Sequence, residues 1–235
     1  MAHRRKPQRR TPPPKRRPAG PGRTIGVLVA LLAALAAGMG VQAVRSGGDG
    51  PAWAPRDTVG RFGLASGSPN AAVTVDIYLD YLCPACRQFE QANAELLDQL
   101  THDGQIRVVY HPMAILDRYS TTQYSSRAAN AVGCAADTGS FVALQKQLFE
   151  HQPPEGGPGL PDESLIELGR RAGIADDAFG ACVRDQSHAE WVVKATDVAS
   201  QDNIFRTPTV KVNGVELSVP STEELTAALE KAGVS

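Results

Sequence analysis

The sequence predicts an α/β fold in which a β-α-β unit is followed by a long helical segment and then by a β-β-α unit. Three observations predict this order. Residues 73–79 carry the pattern of a buried strand, and residues 84–101 carry that of an amphipathic helix. Helical periodicity then continues across most of residues 121–203. Finally, Asn213-Gly214 separates two short strand patterns and is typical of a β-hairpin.

The N-terminal end of the chain is strongly basic. Residues 1–24 hold nine Lys/Arg and no acidic residue, although the formal net charge of the whole 235-residue chain is −1. This Pro- and Arg-rich segment is predicted to be a disordered cytoplasmic tail. A basic tail can bind nucleic acid, but the apolar segment that follows it favours a membrane, and no nucleic-acid partner is expected.

Residues 25–44 are predicted to form a transmembrane anchor. These twenty residues carry no charge, and as a helix they would span about 30 Å, the thickness of the hydrocarbon core of a bilayer. The basic tail places the N-terminus in the cytoplasm and the folded part outside, in a single-pass protein of the cell membrane. A cleaved signal peptide ending at Val41-Gln42-Ala43 is the alternative. In either case the four cysteines suit an oxidising compartment.

The rest of the chain is predicted to contain a linker and one folded unit with an insertion. Residues 45–60 are expected to form a flexible linker. Residues 61–120 and 204–235 are expected to build the α/β domain, and residues 121–203 an inserted helical domain. About 175 residues are enough for a sizeable core.

The first half of the α/β domain is organised around a strand-to-helix corner. Strand 73–79 is followed by Cys83 at the expected N-cap of helix 84–101. Pro84 suits the first helical position, because a helix leaves the N–H group of that position unpaired. A second strand at 106–110 completes a unit of the length expected for a right-handed parallel crossover.

Apolar periodicity and capping residues also predict the elements of the insertion and of the second half of the α/β domain. The predicted helices of the insertion cover residues 121–137, 140–151, 163–172 with Asp162 as cap, a segment starting at Asp176 or Asp177, and 188–203. Strands 209–212 and 215–217 then flank the hairpin turn. Ser221 and Glu224 form a capping box at the start of the last helix.

Cys83-Pro84-Ala85-Cys86 brings two thiols one helical turn apart. Cys83 would face the unpaired backbone N–H groups and the positive end of the helix dipole, which stabilise a thiolate and lower the pKa of Cys83. Cys86 lies one turn into the helix and is more shielded. This arrangement is typical of thiol–disulfide exchange, with an exposed attacking sulfur and a resolving sulfur behind it.

Two other interpretations of the cysteine pair compete with thiol–disulfide exchange. Half of a zinc site is one, but it usually needs a second CxxC or a His pair at ligand spacing. A purely structural disulfide is the other, but so short a loop removes little entropy from the unfolded chain. The five histidines are scattered, and His111 is expected in solvent at a strand end. No metal site is predicted.

The complete layout is that of a thioredoxin fold with a helical domain inserted between its halves. Residues 80–86, Asp-Tyr-Leu-Cys-Pro-Ala-Cys, and Thr207-Pro208-Thr209 before the hairpin make the chain similar to the DsbA-like family of thiol–disulfide oxidoreductases, in its membrane-anchored actinobacterial branch. The resemblance covers about residues 60–232. It implies that Cys83 is the nucleophile and Cys86 the resolving cysteine.

The resemblance also implies that the Thr207–Pro208 peptide bond is cis and faces the cysteine pair. The backbone of Thr207 would then pair with an extended substrate segment as an added strand. Tyr81, Pro84 and the region of Thr207 are expected to form an apolar patch that contacts unfolded polypeptide.

Two positions depart from the family pattern. Many thioredoxin-fold oxidoreductases have a buried acid six residues before the first cysteine, where this chain has Ile77, and the neighbouring Asp76 points to the opposite face of the strand. Water or Asp80 would then have to carry the proton of Cys86. The strongest oxidants of the family have His where this chain has Ala85, and a less extreme potential is therefore expected.

Cys134 and Cys182 lie on separate predicted helices of the insertion. A second redox pair and a structural disulfide are both possible interpretations. The structural disulfide is favoured, because neither residue has CxxC spacing or an activating helix start. Closing a loop of this length would contribute about 4 kcal/mol in the chain-entropy model.

The predicted function is a cofactor-free oxidase that introduces disulfides into reduced or unfolded exported proteins. A membrane oxidase similar to vitamin K epoxide reductase is the expected reoxidant, because the resemblance implies a quinone-linked partner. Three alternatives stay open: an anchored thiol reductant or isomerase, a copper- or zinc-binding CxxC module, and a non-catalytic chaperone.

Overall fold

The computed structural model describes residues 53–56 and 58–234. The predicted tail at 1–24, the predicted anchor at 25–44 and most of the predicted linker at 45–60 lie outside these residues. Within the described part of the chain, no helix is both long enough and apolar enough to cross a membrane.

The described residues contain six strands, seven α-helices and a short 3-10 helix at Asp117–Tyr119, and most of the predicted elements lie within three residues of their predicted bounds. The strands are β1 (Thr58–Val59), β2 (Gly63–Ser66), β3 (Val73–Leu79), β4 (Ile106–Pro112), β5 (Thr209–Val212) and β6 (Val215–Glu216). The helices are α1 (Pro84–His102), α2 (Tyr124–Ala136), α3 (Phe141–Glu150), α4 (Asp162–Arg171), α5 (Asp177–Asp185), α6 (Ala189–Gln201) and α7 (Thr222–Lys231).

The strands form one mixed sheet in the order β1-β2-β4-β3-β5-β6. β3 and β4 are parallel, as a β-α-β crossover through α1 requires, and every other neighbouring pair is antiparallel. Asn213 and Gly214 both have positive φ, at 48° and 80°, the backbone geometry that a two-residue hairpin turn between β5 and β6 needs. The predicted thioredoxin fold is confirmed.

Alternation along β3 sends its side chains to two different environments. Val75 and Ile77 are buried in the main core. Tyr78 points to the opposite face, where it packs with Ala199 of α6. The helices of the insertion share the main core with the sheet, which means that one continuous apolar interior supports both parts.

The chain becomes ordered earlier than the predicted linker allows. β1 lies within residues 45–60 and pairs with β2. Trp53 packs against the main core, and its ring lies 5.8 Å from the ring of Phe62. The Trp191 indole N–H donates to the Phe62 carbonyl at 3.0 Å. Partly buried aromatic contacts therefore hold a segment whose Gly and Pro content suggests flexibility.

Of three predicted N-cap residues, two cap their helices and one does not. Asp176 caps α5 as expected, accepting from the Ala178 N–H at 2.8 Å. Ser221 caps α7 by accepting from the Glu224 N–H at 3.2 Å. The assignment of Asp162 as a cap was wrong, because α4 begins at Asp162 itself, after Pro161.

His111 is buried, contrary to the expectation that it lies in solvent. Its Nε2 lies 2.9 Å from Asp76 Oδ1, and its ring stacks on that of Tyr78 at 4.2 Å. β4 runs two residues longer than predicted, through Pro112, and this extension keeps His111 inside the sheet.

Candidate active site

Cys83 occupies the N-cap of α1, at the carboxyl end of the central strand β3. Its Sγ accepts a hydrogen bond from the Cys86 backbone N–H at 3.4 Å, and Pro84 takes the first helical position. Both thiols are free, with Cys83 6% and Cys86 2% exposed, whereas Pro84 and Ala85 are exposed. The corner thus presents one sulfur near the surface and one behind it.

The start of β5 faces this corner. Antiparallel pairing of Tyr78 with Thr209 brings the beginning of β5 to the end of β3. The Thr207–Pro208 peptide bond immediately before β5 is cis. The Cys83 thiol donates to the Thr207 carbonyl at 3.3 Å. Sheet register therefore brings together two segments that are 124 residues apart in sequence.

Asp80 is a fully buried carboxyl group three residues before Cys83. It accepts from the Leu82 N–H at 2.9 Å and from the Leu116 N–H at 3.0 Å. Burial raises the pKa of Asp80 from 3.8 to about 7, although the N–H groups of Leu82 and Leu116 oppose the shift. Asp80 ties the turn that precedes Cys83 to the loop after β4, while Ile77 lies in the apolar core.

Gln152 is a site residue that sequence reasoning missed. Its side-chain amide donates to the carbonyls of Tyr81 and Cys83, each at 3.0 Å. Gln152 follows α3, and the inserted domain therefore holds the turn that carries the nucleophilic sulfur. Neither residue spacing nor a motif in the sequence indicates this contact.

Tyr81 does not lie on a substrate-binding surface, and that prediction was wrong. It is fully buried, its hydroxyl donates to Gln145 Oε1 at 3.0 Å, and its ring packs 5.3 Å from that of Phe149. Helix α3 of the insertion covers the position. Pro84 and Thr207, the other members of the predicted patch, lie at the active-site corner, and their contact with substrate stays a prediction.

The two thiols are placed in opposite protonation environments. The hydrogen bond from the Cys86 thiol makes the largest contribution to a pKa of Cys83 lowered from 9.0 to about 6, against the effect of burial. The Thr207 side chain and backbone N–H groups of the first helical turn lower it further. Burial raises the pKa of Cys86 well above its ordinary value. Near neutral pH the site therefore holds one thiolate and one thiol.

A family model described as Thioredoxin matches residues 62–231 of the chain. The chain belongs to this family. The reduced form of the disulfide bond oxidoreductase DsbG from Mycobacterium tuberculosis is 31% identical, with a TM-score of 0.65 over 74% of this chain and 88% of that one. Oxidised DsbA from Mycobacterium tuberculosis is 32% identical, with a TM-score of 0.63 over 72% of this chain and 92% of that one. The protein is thus a DsbA-like member.

The first curated relatives are longer proteins, and each contains a segment similar to this chain. A Na⁺/H⁺ antiporter of Salinispora tropica, NhaA 3, is 31% identical over 170 residues, which are 72% of this chain and 24% of the antiporter. The chain spans about a quarter of the length of the first curated relatives that it matches. These matches therefore concern one portion of each relative.

The lowered pKa of Cys83 makes the stability of the reduced DsbA-like protein depend on pH. In the folded protein Cys83 loses its proton near pH 6, below the ordinary value of 9.0, and the unfolded chain holds more protons between these values. The contribution of Cys83 to the free energy of unfolding should therefore rise as the pH increases from about 6 towards 9 and vanish below about 6. The buried carboxyl groups of Asp80 and Glu90, whose pKa values burial raises to about 7, act in the opposite direction as they ionise. Urea denaturation at pH 5 and pH 8 measures the change.

The reduced Cys83→Ser variant is the control for that pH series, because it keeps every other titrating group. Subtracting its pH dependence from that of the wild type isolates the contribution of Cys83. Thiolate absorbance should show a midpoint near 6 in the wild type. A midpoint near 9 would contradict the placement of a stabilised thiolate at the helix start.

Replacing Gln152 with methionine should destabilise this DsbA-like protein by about 1–3 kcal/mol, because two partly buried carbonyl groups lose a donor. Methionine has a similar length and no N–H group. Because the turn that carries Cys83 would loosen, the pKa of the Cys83 thiol should also rise. Urea denaturation and a thiolate titration measure the two effects.

Gln147→Met is the matched control for Gln152→Met. The Gln147 side-chain amide donates to the exposed Glu150 side chain within the same helix. This change should leave both the stability and the pKa of Cys83 close to the wild type. Equal effects of the two substitutions would show that Gln152 has no special role at the site.

The other two cysteines of the DsbA-like chain are joined by a disulfide. Cys134 of α2 and Cys182 of α5 are linked, with their Cα atoms 5.9 Å apart. The side chain of His188 lies close enough to suggest a metal-ligand group with the two sulfurs. However, both sulfurs are in the disulfide, and the His188 nitrogens contact the Trp53 carbonyl at 3.1 Å and Asp137 Oδ2 at 2.9 Å. The two sulfurs and both His188 nitrogens therefore already have bonding partners within the protein.

Proposed function

We propose that the protein is a thiol–disulfide oxidase that introduces disulfides into reduced proteins through the Cys83–Cys86 pair. One observation carries the proposal: the Cys83 sulfur occupies the N-cap of α1, where it accepts a hydrogen bond from the Cys86 N–H, and the pKa of Cys83 is lowered to about 6. A stable thiolate makes the reduced form of the enzyme favourable. The oxidised form then accepts electrons readily from other thiols.

In the first step a substrate thiolate attacks Cys83 Sγ of the oxidised enzyme. A substrate–Cys83 disulfide forms, and the Cys83–Cys86 bond breaks. Cys86 Sγ leaves with the electron pair and takes up a proton, because burial raises the pKa of Cys86 well above its ordinary value. Protonated Cys86 is a poor nucleophile and does not reverse the step quickly.

In the second step another substrate thiolate attacks the substrate sulfur of the mixed disulfide. The substrate disulfide forms, and Cys83 leaves as a thiolate with a pKa of about 6. A sulfur of low pKa is a good leaving group, and the step therefore runs towards the oxidised substrate. In total the substrate loses two electrons and two thiol protons, and the enzyme gains the electrons.

We place this reaction outside the cytoplasm, with a membrane partner that reoxidises the enzyme. The uncharged segment 25–44 and the basic residues before it support an anchored, exported protein. Reduced exported proteins are then the substrates. A quinone-linked oxidase similar to vitamin K epoxide reductase would accept the two electrons from Cys83 and Cys86.

The reduction potential of the Cys83–Cys86 pair tests the proposed direction of electron flow. The full chain is equilibrated in glutathione buffers and the reduced fraction is measured by alkylation. We expect a potential between the value of about −120 mV of a strong oxidant and the value of about −270 mV of thioredoxin, because Ala85 adds no charge or donor. A value at or below about −270 mV would indicate an anchored reductant instead.

A further inference from the structure

Phe205 is a large apolar side chain left in solvent close to the reactive sulfur. It is 68% exposed and lies two residues before Thr207, whose carbonyl accepts from Cys83. The preceding residue, Ile204, is buried in a small apolar cluster with Tyr78. The backbone before Phe205 is thus anchored, whereas its ring projects outward.

The reach of the chain keeps Phe205 close to Thr207, the residue with which a substrate segment would pair. Two residues span at most about 7 Å, and Thr207 O lies 3.3 Å from Cys83 Sγ. A substrate segment that pairs with the Thr207 backbone would advance by about 3.3 Å per residue. A substrate position about two residues from the reacting cysteine therefore lies at a distance from Thr207 comparable to that of Phe205.

The surroundings of Phe205 indicate which substrate side chains it favours. Its neighbour Arg206 pairs with Glu216 at 2.6 Å, so these two charges compensate each other locally. The phenyl ring offers no hydrogen-bond donor or acceptor. Contact with an apolar substrate side chain removes two apolar surfaces from water, whereas contact with a polar one brings no such gain.

We propose that Phe205 is a specificity-determining residue that binds an apolar side chain about two residues from the reacting cysteine of a reduced polypeptide. This inference rests on the proposed oxidase function. Main-chain pairing at Thr207 would hold any extended sequence, and Phe205 would distinguish among them. The preferred substrates are segments that become buried in the finished protein, because such segments carry aliphatic and aromatic residues near their cysteines.

Two dithiol peptides test the proposal. They are identical except for leucine or serine two residues from the reacting cysteine. The oxidised full chain is mixed with excess peptide, and the second-order rate constant of enzyme reduction is measured. The Cys83–Cys86 disulfide itself is the oxidant, and no other reagent is needed. We expect the leucine peptide to react about fivefold faster, because an exposed ring buries only part of one side chain.

Substitutions of Phe205 test whether its ring causes the preference for the leucine peptide. Phe205→Ser should reduce it to less than about twofold, and Phe205→Leu should retain most of it, because leucine keeps an apolar surface. Val193→Ser is the matched control, since Val193 is 56% exposed on α6, and it should leave the preference unchanged. The rate with dithiothreitol, which carries no side chain, is measured for every variant, and each peptide rate is expressed relative to it.

Several outcomes would overturn the role of Phe205: equal rates of the wild type with both peptides, a preference that survives in Phe205→Ser, or a preference lost equally in Phe205→Leu or Val193→Ser. If the wild type oxidises neither peptide, the proposed oxidase function fails as well. If it oxidises both at the same rate, only the role of Phe205 fails.

Discussion

Replacing Cys83 with serine is expected to abolish thiol–disulfide exchange. A serine hydroxyl is not ionised near neutral pH and forms no disulfide, so neither step of the exchange can begin. The remaining thiol, Cys86, is 2% exposed, and burial keeps its pKa well above the ordinary value. Incubation of the Cys83→Ser protein with oxidised glutathione should therefore give no mixed disulfide by mass spectrometry.

The matched variant Cys86→Ser should behave in the opposite way. It keeps the Cys83 thiolate, which attacks oxidised glutathione, but lacks the sulfur that would resolve the product. A stable adduct of one glutathione per chain should accumulate. If Cys83→Ser formed the adduct and Cys86→Ser did not, the assignment of nucleophile and resolving cysteine would have to be reversed.

Local sequence signals predict most of the secondary structure of this chain because each of them acts over a few residues. Pro84 marks the first turn of α1, Asn213-Gly214 marks the hairpin, and Ser221 marks the start of α7. These residues have a backbone preference or a capping side chain that needs no distant partner. Their elements could therefore be placed without knowledge of the packing.

The contacts that complete the active site depend on distant residues and leave no such signal. Gln152 reaches the carbonyls of Tyr81 and Cys83 across 71 and 69 residues of sequence. Helix α3 of the insertion covers Tyr81, and Asp76 and Tyr78 of the neighbouring strand contact His111. Their environments follow from tertiary packing, which periodicity within one element does not encode.

Removing the disulfide of the insertion should have the largest effect on stability. The Cys134→Ala/Cys182→Ala double variant loses a crosslink between residues separated by 48 positions. In the chain-entropy model this lowers the free energy of unfolding by about 4 kcal/mol. For a protein of this size the melting temperature should fall by about 8–16 °C. Thermal denaturation followed by circular dichroism measures the shift.

The Cys83→Ala/Cys86→Ala double variant is the control for the number of disulfides. In the oxidised wild type the Cys83–Cys86 disulfide closes a ring of only four residues, so its loss should lower the free energy of unfolding much less.

The two double variants should also differ in activity. Without the Cys134–Cys182 disulfide, the potential of the Cys83–Cys86 pair should stay unchanged below the melting temperature, because none of the hydrogen bonds to Cys83 involves Cys134 or Cys182. An altered potential or exchange rate with intact folding would instead identify Cys134 and Cys182 as a second redox pair.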